Sequence, residues 1–254
     1  MSGVAYPGVF DVWQYIRLKD NYLHYMKTIG IVGGTTWLST VDYYRLLNQA
    51  VNEHFGGVTS ARIIINSINF EEIKQLVEKY DFTGVANIMV RAAVTVEKAG
   101  ADCIVLAANT MHKVADEVQQ ATTVPLIHIG EATAIAVAEK GIKTVALLGT
   151  KYTMQLDFYK NKLAAMGIAT IIPNDEDSEF VNDSIFKEMG KGLFLPTTKE
   201  RYITIINKLI EEGAEGIILG CTEIPILIKP EDCSVPTFDT TSIHVKAIMD
   251  FALN

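Results

Sequence analysis

The chain has little cysteine, little net positive charge and no long apolar run, and each shortage excludes something. Three cysteines in 254 residues, Cys103, Cys221 and Cys233, cannot build a disulfide framework, and their spacing matches no zinc pattern. Such usage fits a reducing, cytoplasmic setting. Although 49% of the residues are hydrophobic, the apolar segments are short and interrupted, and none approaches the roughly 20 residues that cross a bilayer. The 22 Lys and Arg against 30 Asp and Glu leave a net charge of −8. That argues against nucleic-acid binding but leaves room for an anionic small molecule at a locally positive site. No complete G-x-G-x-x-G or P-loop signature appears, which disfavours a dinucleotide or nucleoside triphosphate. No His/Asp/Cys cluster suggests a metal. Residues 1–25 lack a basic start followed by an apolar stretch, so they do not read as a secretory signal. They read as an extension or a mis-called start, by default a poorly ordered tail, whose aromatics (Tyr6, Phe10, Trp13, Tyr15, Tyr22, Tyr25) could instead pack on a partner subunit.

What is present is a strand–turn–helix alternation. Thr28–Val32 is a short apolar run broken by Gly33-Gly34-Thr35-Thr36. Ser39 is placed to cap a helix carrying Val41, Tyr44, Leu47 and Val51, which ends at Gly56-Gly57. A second strand over 62–66, helices over 71–80 and 84–99, and a third strand over 101–106 follow. The third strand runs into Ala107-Ala108-Asn109-Thr110-Met111-His112. Short turns between alternating strands and helices imply a doubly wound parallel α/β sheet. Cys103, inside the third strand, reads as a small core residue, and Cys233 as an incidental loop residue.

The pattern then starts again. Lys27–Gly33 matches Lys143–Gly149, Gly100–Leu106 matches Gly213–Leu219, and Val124-Pro125 matches Val235-Pro236, at offsets of 116, 113 and 111 residues. A repeat of this length is a duplicated domain rather than a solenoid. The expected division is a first lobe of 26–125 plus 238–254 and a second lobe of 126–237. Two facing sheets would enclose a cleft at the C-terminal ends of their strands, where open α/β sheets bind ligands. The turns Gly33–Thr36, Ala107–Thr110, Gly149–Tyr152 and Gly220–Glu223 should line it. Their hydroxyls, from Thr35, Thr36, Thr110, Thr150 and Thr222, with backbone N–H groups, suit a small carboxylic acid. The single thiol, Cys221, could carry a proton or act as a nucleophile once a helix N-terminus lowers its pKa. The repeat register puts Ala108 where the second half has Cys221.

Gly33-Gly34, Asn109-Thr110-Met111-His112, Leu147-Leu148-Gly149-Thr150 with Tyr152-Thr153-Met154, Gly220-Cys221-Thr222-Glu223, and Phe238-Asp239-Thr240 with His244 together span most of residues 26–254. In this order they resemble the aspartate/glutamate racemase superfamily, in its amino-acid racemase branch. The resemblance implies a cofactor-independent isomerase of two pseudo-symmetric α/β lobes, usually a homodimer, with two residues flanking the substrate Cα. One removes the α-proton and the other returns a proton on the opposite face. Carried over, Cys221 is one catalytic residue, with Glu223 and His112 as supporting polar groups. Asn109, Thr110 and Thr222 hold the α-carboxylate, and Lys191 is a weaker candidate for a side-chain carboxylate. His128 and His244 read as structural.

The departure from the resemblance is Ala108. The family has cysteine there, or threonine in some relatives, and alanine can neither give nor take a proton. The implied function is racemisation of an acidic amino acid such as aspartate or glutamate through Cys221. The alternatives are a single-cysteine decarboxylase or isomerase of a small dicarboxylic acid, or a small-carboxylate binder without turnover.

Overall fold

The structure, a computed structural model, describes residues 26–254. The expectations for residues 1–25 lie outside them. Seven parallel strands form two sheets of the same order, β2-β1-β3 and β5-β4-β6-β7. The first holds β1 (Ile29–Gly33), β2 (Ile63–Ser67) and β3 (Cys103–Leu106). The second holds β4 (Thr144–Gly149), β5 (Ala169–Ile171), β6 (Gly216–Gly220) and β7 (Thr237–Asp239). The helices of the first half are α1 (Trp37–Phe55), α2 (Phe70–Glu78), α3 (Phe82–Lys98) and α4 (Ala115–Ala121). Then come α5 (Ile129–Glu139), α6 (Lys151–Gln155), α7 (Asp157–Ala164), α8 (Asp175–Lys187), α9 (Pro196–Glu211), α10 (Ile224–Leu227) and α11 (Thr240–Leu253).

The duplication is visible strand by strand. β1 and β4 are central, β2 and β5 lie on one side, and β3 and β6 on the other. Even the short matches agree. Leu126 bridges Ile104 of β3, and β7 pairs with β6 after the corresponding Val-Pro. Ile104 N–H donates to Pro125 O at 2.9 Å, and Ile217 N–H donates to Pro236 O at 2.9 Å. β1, β3 and β6 are buried along their whole length, as strands covered on both faces must be.

The expected division needs changing at its C-terminal end. Thr237–Asp239 belongs to the second sheet, because β7 pairs with β6 rather than with the first sheet. Helix α11 then crosses between the halves. Val245, Ile248, Met249 and Ala252 pack with Ile29, Ile31 and Leu47 of the first core, while Ile243 packs on the second. A fully buried side chain of the size of Ile248 contributes about 1.5–3 kcal/mol, so α11 ties the lobes together.

Helix α1 also differs from the sequence reading. Its N-cap is Thr36, whose hydroxyl accepts from Ser39 N–H at 3.3 Å. Ser39 lies inside the first turn and donates its hydroxyl to Ala107 O. The buried face is Tyr43, Leu47, Val51 and Phe55; Val41 and Tyr44 are exposed. The face rotates because Tyr43 reaches His244 of α11 and donates its hydroxyl to Nδ1 at 2.7 Å. The turn before α1 needs glycine at Gly34. Its φ is +87°, and a Cβ there would sit 2.0 Å from Ile68 O.

Candidate active site

One cleft of about 430 Å³ lies between the strand ends of the two lobes. All four expected turns contribute to its wall, through Thr35 and Thr36, Ala108–Thr110, Thr150–Tyr152 and Gly220–Glu223.

The second lobe supplies the thiol. β6 is apolar and buried up to Gly220, and a Cβ at Gly220 would lie 2.8 Å from Leu148 O, so the backbones close tightly just before Cys221. The Cys221 thiol donates to Glu223 Oε2 at 2.8 Å, and the Thr222 hydroxyl donates to the same oxygen at 2.8 Å. Glu223 is buried. Burial pushes the Cys221 thiol well above its ordinary pKa range, and the Glu223 charge pushes it further. This corrects the expectation of a lowered pKa. Helix α10, which follows, is only four residues long and offers little dipole to set against a buried carboxylate. The resting group is therefore a protonated thiol that donates to a carboxylate.

The first lobe supplies orientation. Ala108 is extended (φ −156°, ψ 136°) and precedes the 3₁₀ turn Asn109–Val114. Its methyl is what this lobe offers where Cys221 stands in the other. Asn109 Nδ2 donates to Thr240 Oγ1 at 3.1 Å, and Thr240 in turn donates to Leu219 O at 3.0 Å. That chain fixes the amide, leaving Asn109 Oδ1 as a buried acceptor without a partner among the described residues. Thr35 Oγ1 is likewise buried and unpartnered. Thr110 and Thr150 join the lobes, with their hydroxyls 2.9 Å apart and both within 3.3 Å of Thr153 Oγ1.

Two expected site residues are elsewhere. His112 does not face the cleft. Its Nδ1–H donates to Ala108 O at 3.1 Å, and its Nε2 accepts from Ile129 N–H at 3.2 Å, so both ring nitrogens are spent on backbone. It holds the turn that begins at Ala108. Lys191 is exposed and outside the cleft wall, which its neighbour Gly190 reaches. The cations that do line the cleft are Lys74 on α2 and Lys151 at the start of α6. Sequence reasoning missed both, since a lysine beside buried Ile73 has no pattern separating it from a solvent-facing one. Among the described residues no group of three or more His, Cys, Asp or Glu could hold a metal ion.

His112 belongs to a buried cluster. Its ring lies edge-on to His128 (4.7 Å between centroids) and to His244 (5.6 Å). His128 Nδ1 caps α5 by accepting from Gly130 N–H at 3.0 Å, and His244 Nε2–H donates to Ile127 O at 2.7 Å. Burial drives His112 well below the usual histidine range and takes His128 and His244 to about 4. Folded-state values below the unfolded value of 6.5 make the unfolded chain the stronger proton binder in between. Stability from this cluster is therefore complete above pH 6.5 and lost as pH falls toward 4. The expected slope is about 1.4 kcal/mol per pH unit per histidine. Urea unfolding at pH 7.5 and pH 5 checks it, and equal midpoints would contradict it.

Parallel α/β lobes meeting at a cleft with one thiol, a buried carboxylate and, among the described residues, unpartnered amide and hydroxyl oxygens define a two-lobed α/β protein with a cleft at its strand ends. The chain belongs to the Asp/Glu/hydantoin racemase family, whose model matches residues 32–248. It is 30% identical over 159 residues to the broad specificity amino-acid racemase RacX of Bacillus subtilis, covering 63% of this chain and 68% of that protein. A Yersinia pestis crystal structure assigned to the Asp/Glu racemases superposes with a TM-score of 0.85 at 46% identity, covering 90% of this chain and 100% of the other. An aspartate racemase homologue from Pyrococcus horikoshii superposes at 0.80 with 41% identity, again over 90% and 100%. No helix among the described residues is long and apolar enough to cross a membrane.

Proposed function

We propose that the protein is a cofactor-independent amino-acid racemase acting on an acidic amino acid such as aspartate or glutamate, with Cys221 carrying the proton at Cα. The observation that carries the reading is the pair of buried, unpartnered atoms in the cleft wall, Thr35 Oγ1 and Asn109 Oδ1. A hydroxyl can donate to an α-carboxylate. An amide oxygen can only accept, so Asn109 matches an α-ammonium rather than the carboxylate that the resemblance gave it. Together they fit a zwitterion. A malonate-type dianion would set a carboxylate against Asn109 Oδ1, which disfavours the decarboxylase reading. Lys74 and Lys151 are the cleft cations available to a second carboxylate.

The proton chemistry follows from the Cys221–Glu223 contact. Transfer of the thiol proton to Glu223 leaves a thiolate, which takes the α-proton from one face of the substrate. The electron pair of the C–H bond stays on Cα and delocalises into the α-carboxylate. A proton returned from Cys221 restores the starting enantiomer, and one delivered at the Ala108 face inverts it. Ala108 supplies no such proton, so inversion is the slow step and water is its donor. Incubation of each enantiomer of aspartate and glutamate in D₂O without added cofactor should give deuterium at Cα and, more slowly, the opposite enantiomer. Neither product from any of the four would sink the proposal.

A further inference from the structure

Helix α2 of the first lobe gives Phe70, Ile73, Lys74, Val77 and Glu78 to the cleft wall. Its C-terminus is built on an unusual residue. Tyr80 N–H donates to Val77 O at 2.9 Å and Asp81 N–H to Leu76 O at 2.9 Å, the pair of bonds that closes a helix when the residue after the cap is left-handed. Helices α3, α5 and α9 put glycine at that place, Gly100, Gly141 and Gly213, with φ of +100°, +72° and +105°. Helix α2 puts Tyr80 there at φ +55°, and among the described residues no other non-glycine has a positive φ. Glycine would make the turn without the strain that a Cβ brings, so it is the ring, not the turn, that explains a tyrosine. That ring stands edge-on to Tyr152 of α6, in the second lobe, with 5.7 Å between centroids. Phe82 meets the same Tyr152 ring at 6.1 Å, and the Tyr152 hydroxyl donates to Val77 O at 3.2 Å. Tyr152 thus packs on the first-lobe core although the second lobe carries it. Val77 and Tyr152 both line the cleft, so this seam is part of the cleft wall. Helix α11, which ties the lobes together, contributes nothing to that wall.

We propose that the Tyr152 seam is the gate of the cleft. Tyr152 is a positioning residue that holds α2 against the second lobe, and small molecules enter and leave when its ring parts from Tyr80, Phe82 and Val77 O. One hydrogen bond and two edge-on aromatic pairs are enough to favour the closed arrangement and few enough to break and reform. The strained backbone at Tyr80 is kept because it aims a ring across the lobe boundary, which the glycines after α3, α5 and α9 cannot do.

The rate at which iodoacetamide alkylates Cys221 in the full chain reads the opening, because the thiol lines the cleft. Cys103, fully buried in β3, is the internal control for general loosening. Tyr80→Asn keeps a residue that visits left-handed backbone readily and removes the ring. Tyr152→Phe keeps the rings and removes the hydroxyl. Each is expected to raise the Cys221 rate by about tenfold, with Cys103 still unmodified, and hydrogen exchange should quicken over residues 70–81 but not in β4 or β6. Cys221 rates within twofold of the parent in both variants overturn the inference. So does a rise at Cys103 in step with Cys221, which would mean that Tyr80 and Tyr152 only stabilise the fold. Neither readout needs turnover. Faster alkylation in the variants with no α-proton exchange from any amino acid would leave the gate standing and remove racemisation, and α-proton exchange with unmoved alkylation would do the reverse.

Discussion

Cys221→Ala is expected to remove α-proton exchange, lowering its rate by roughly 10²–10⁴-fold, the usual worth of one positioned acid or base. The expectation is this large because nothing replaces the thiol. Glu223 already accepts from Cys221 and from Thr222. The threonine hydroxyls of the cleft do not titrate near neutral pH, and His112 is turned onto backbone. Substrate affinity should change little, because Thr35 and Asn109 remain. Exchange in D₂O followed by NMR, with affinity measured in parallel, separates the two effects. An alanine variant that exchanged as fast as the parent would remove Cys221 from the chemistry.

Ala108→Cys is expected to act in the opposite direction, raising the inversion rate by about 10²-fold or more. Position 108 is extended, a backbone state that any residue adopts, and its Cβ already lies in the cleft wall. A thiol there would face Cys221 across the duplicated fold and supply the second proton donor. The gain should appear in inversion far more than in exchange, since exchange needs only the Cys221 face. Chiral chromatography of the product against time measures it. An Ala108→Cys variant that inverts no faster than the parent would mean that this position does not face Cα.

Both arguments depend on the duplication, which was legible in the sequence. Strands β1, β3, β4 and β6 are continuous apolar runs, and the residues that follow each are small or hydroxylated, so strand ends and cleft turns could be found without coordinates. The edge strands were harder. β5 and β7 are three residues each, and β7 was divided between lobes because its pairing with β6 has no local signal. The side-chain directions at the site were less legible still. Tyr43 is buried and Tyr44 exposed because His244, 201 residues away, receives the Tyr43 hydroxyl. The sequence motif groups His112 with Asn109 and Thr110, but a 3₁₀ turn sends consecutive side chains to different sides, and only Asn109, Thr110 and Met111 reach the cleft. The direction of the Cys221 pKa was misread for a similar reason. A thiol after a strand suggests a helix start, whereas the actual neighbour is a buried glutamate two residues on.

The most direct test of a one-thiol site is the order in which deuterium and inversion appear at Cα in the unmodified protein. Each enantiomer of the amino acid is incubated in D₂O, and label and configuration are followed on the same samples. Deuterium should enter one enantiomer first, with its configuration retained, and inversion should trail behind, because the proposed mechanism has Cys221 serve one face and Ala108 leave the other to solvent. Label and inversion rising together, and equally from both enantiomers, would show a second acid–base group of matched strength and contradict this account.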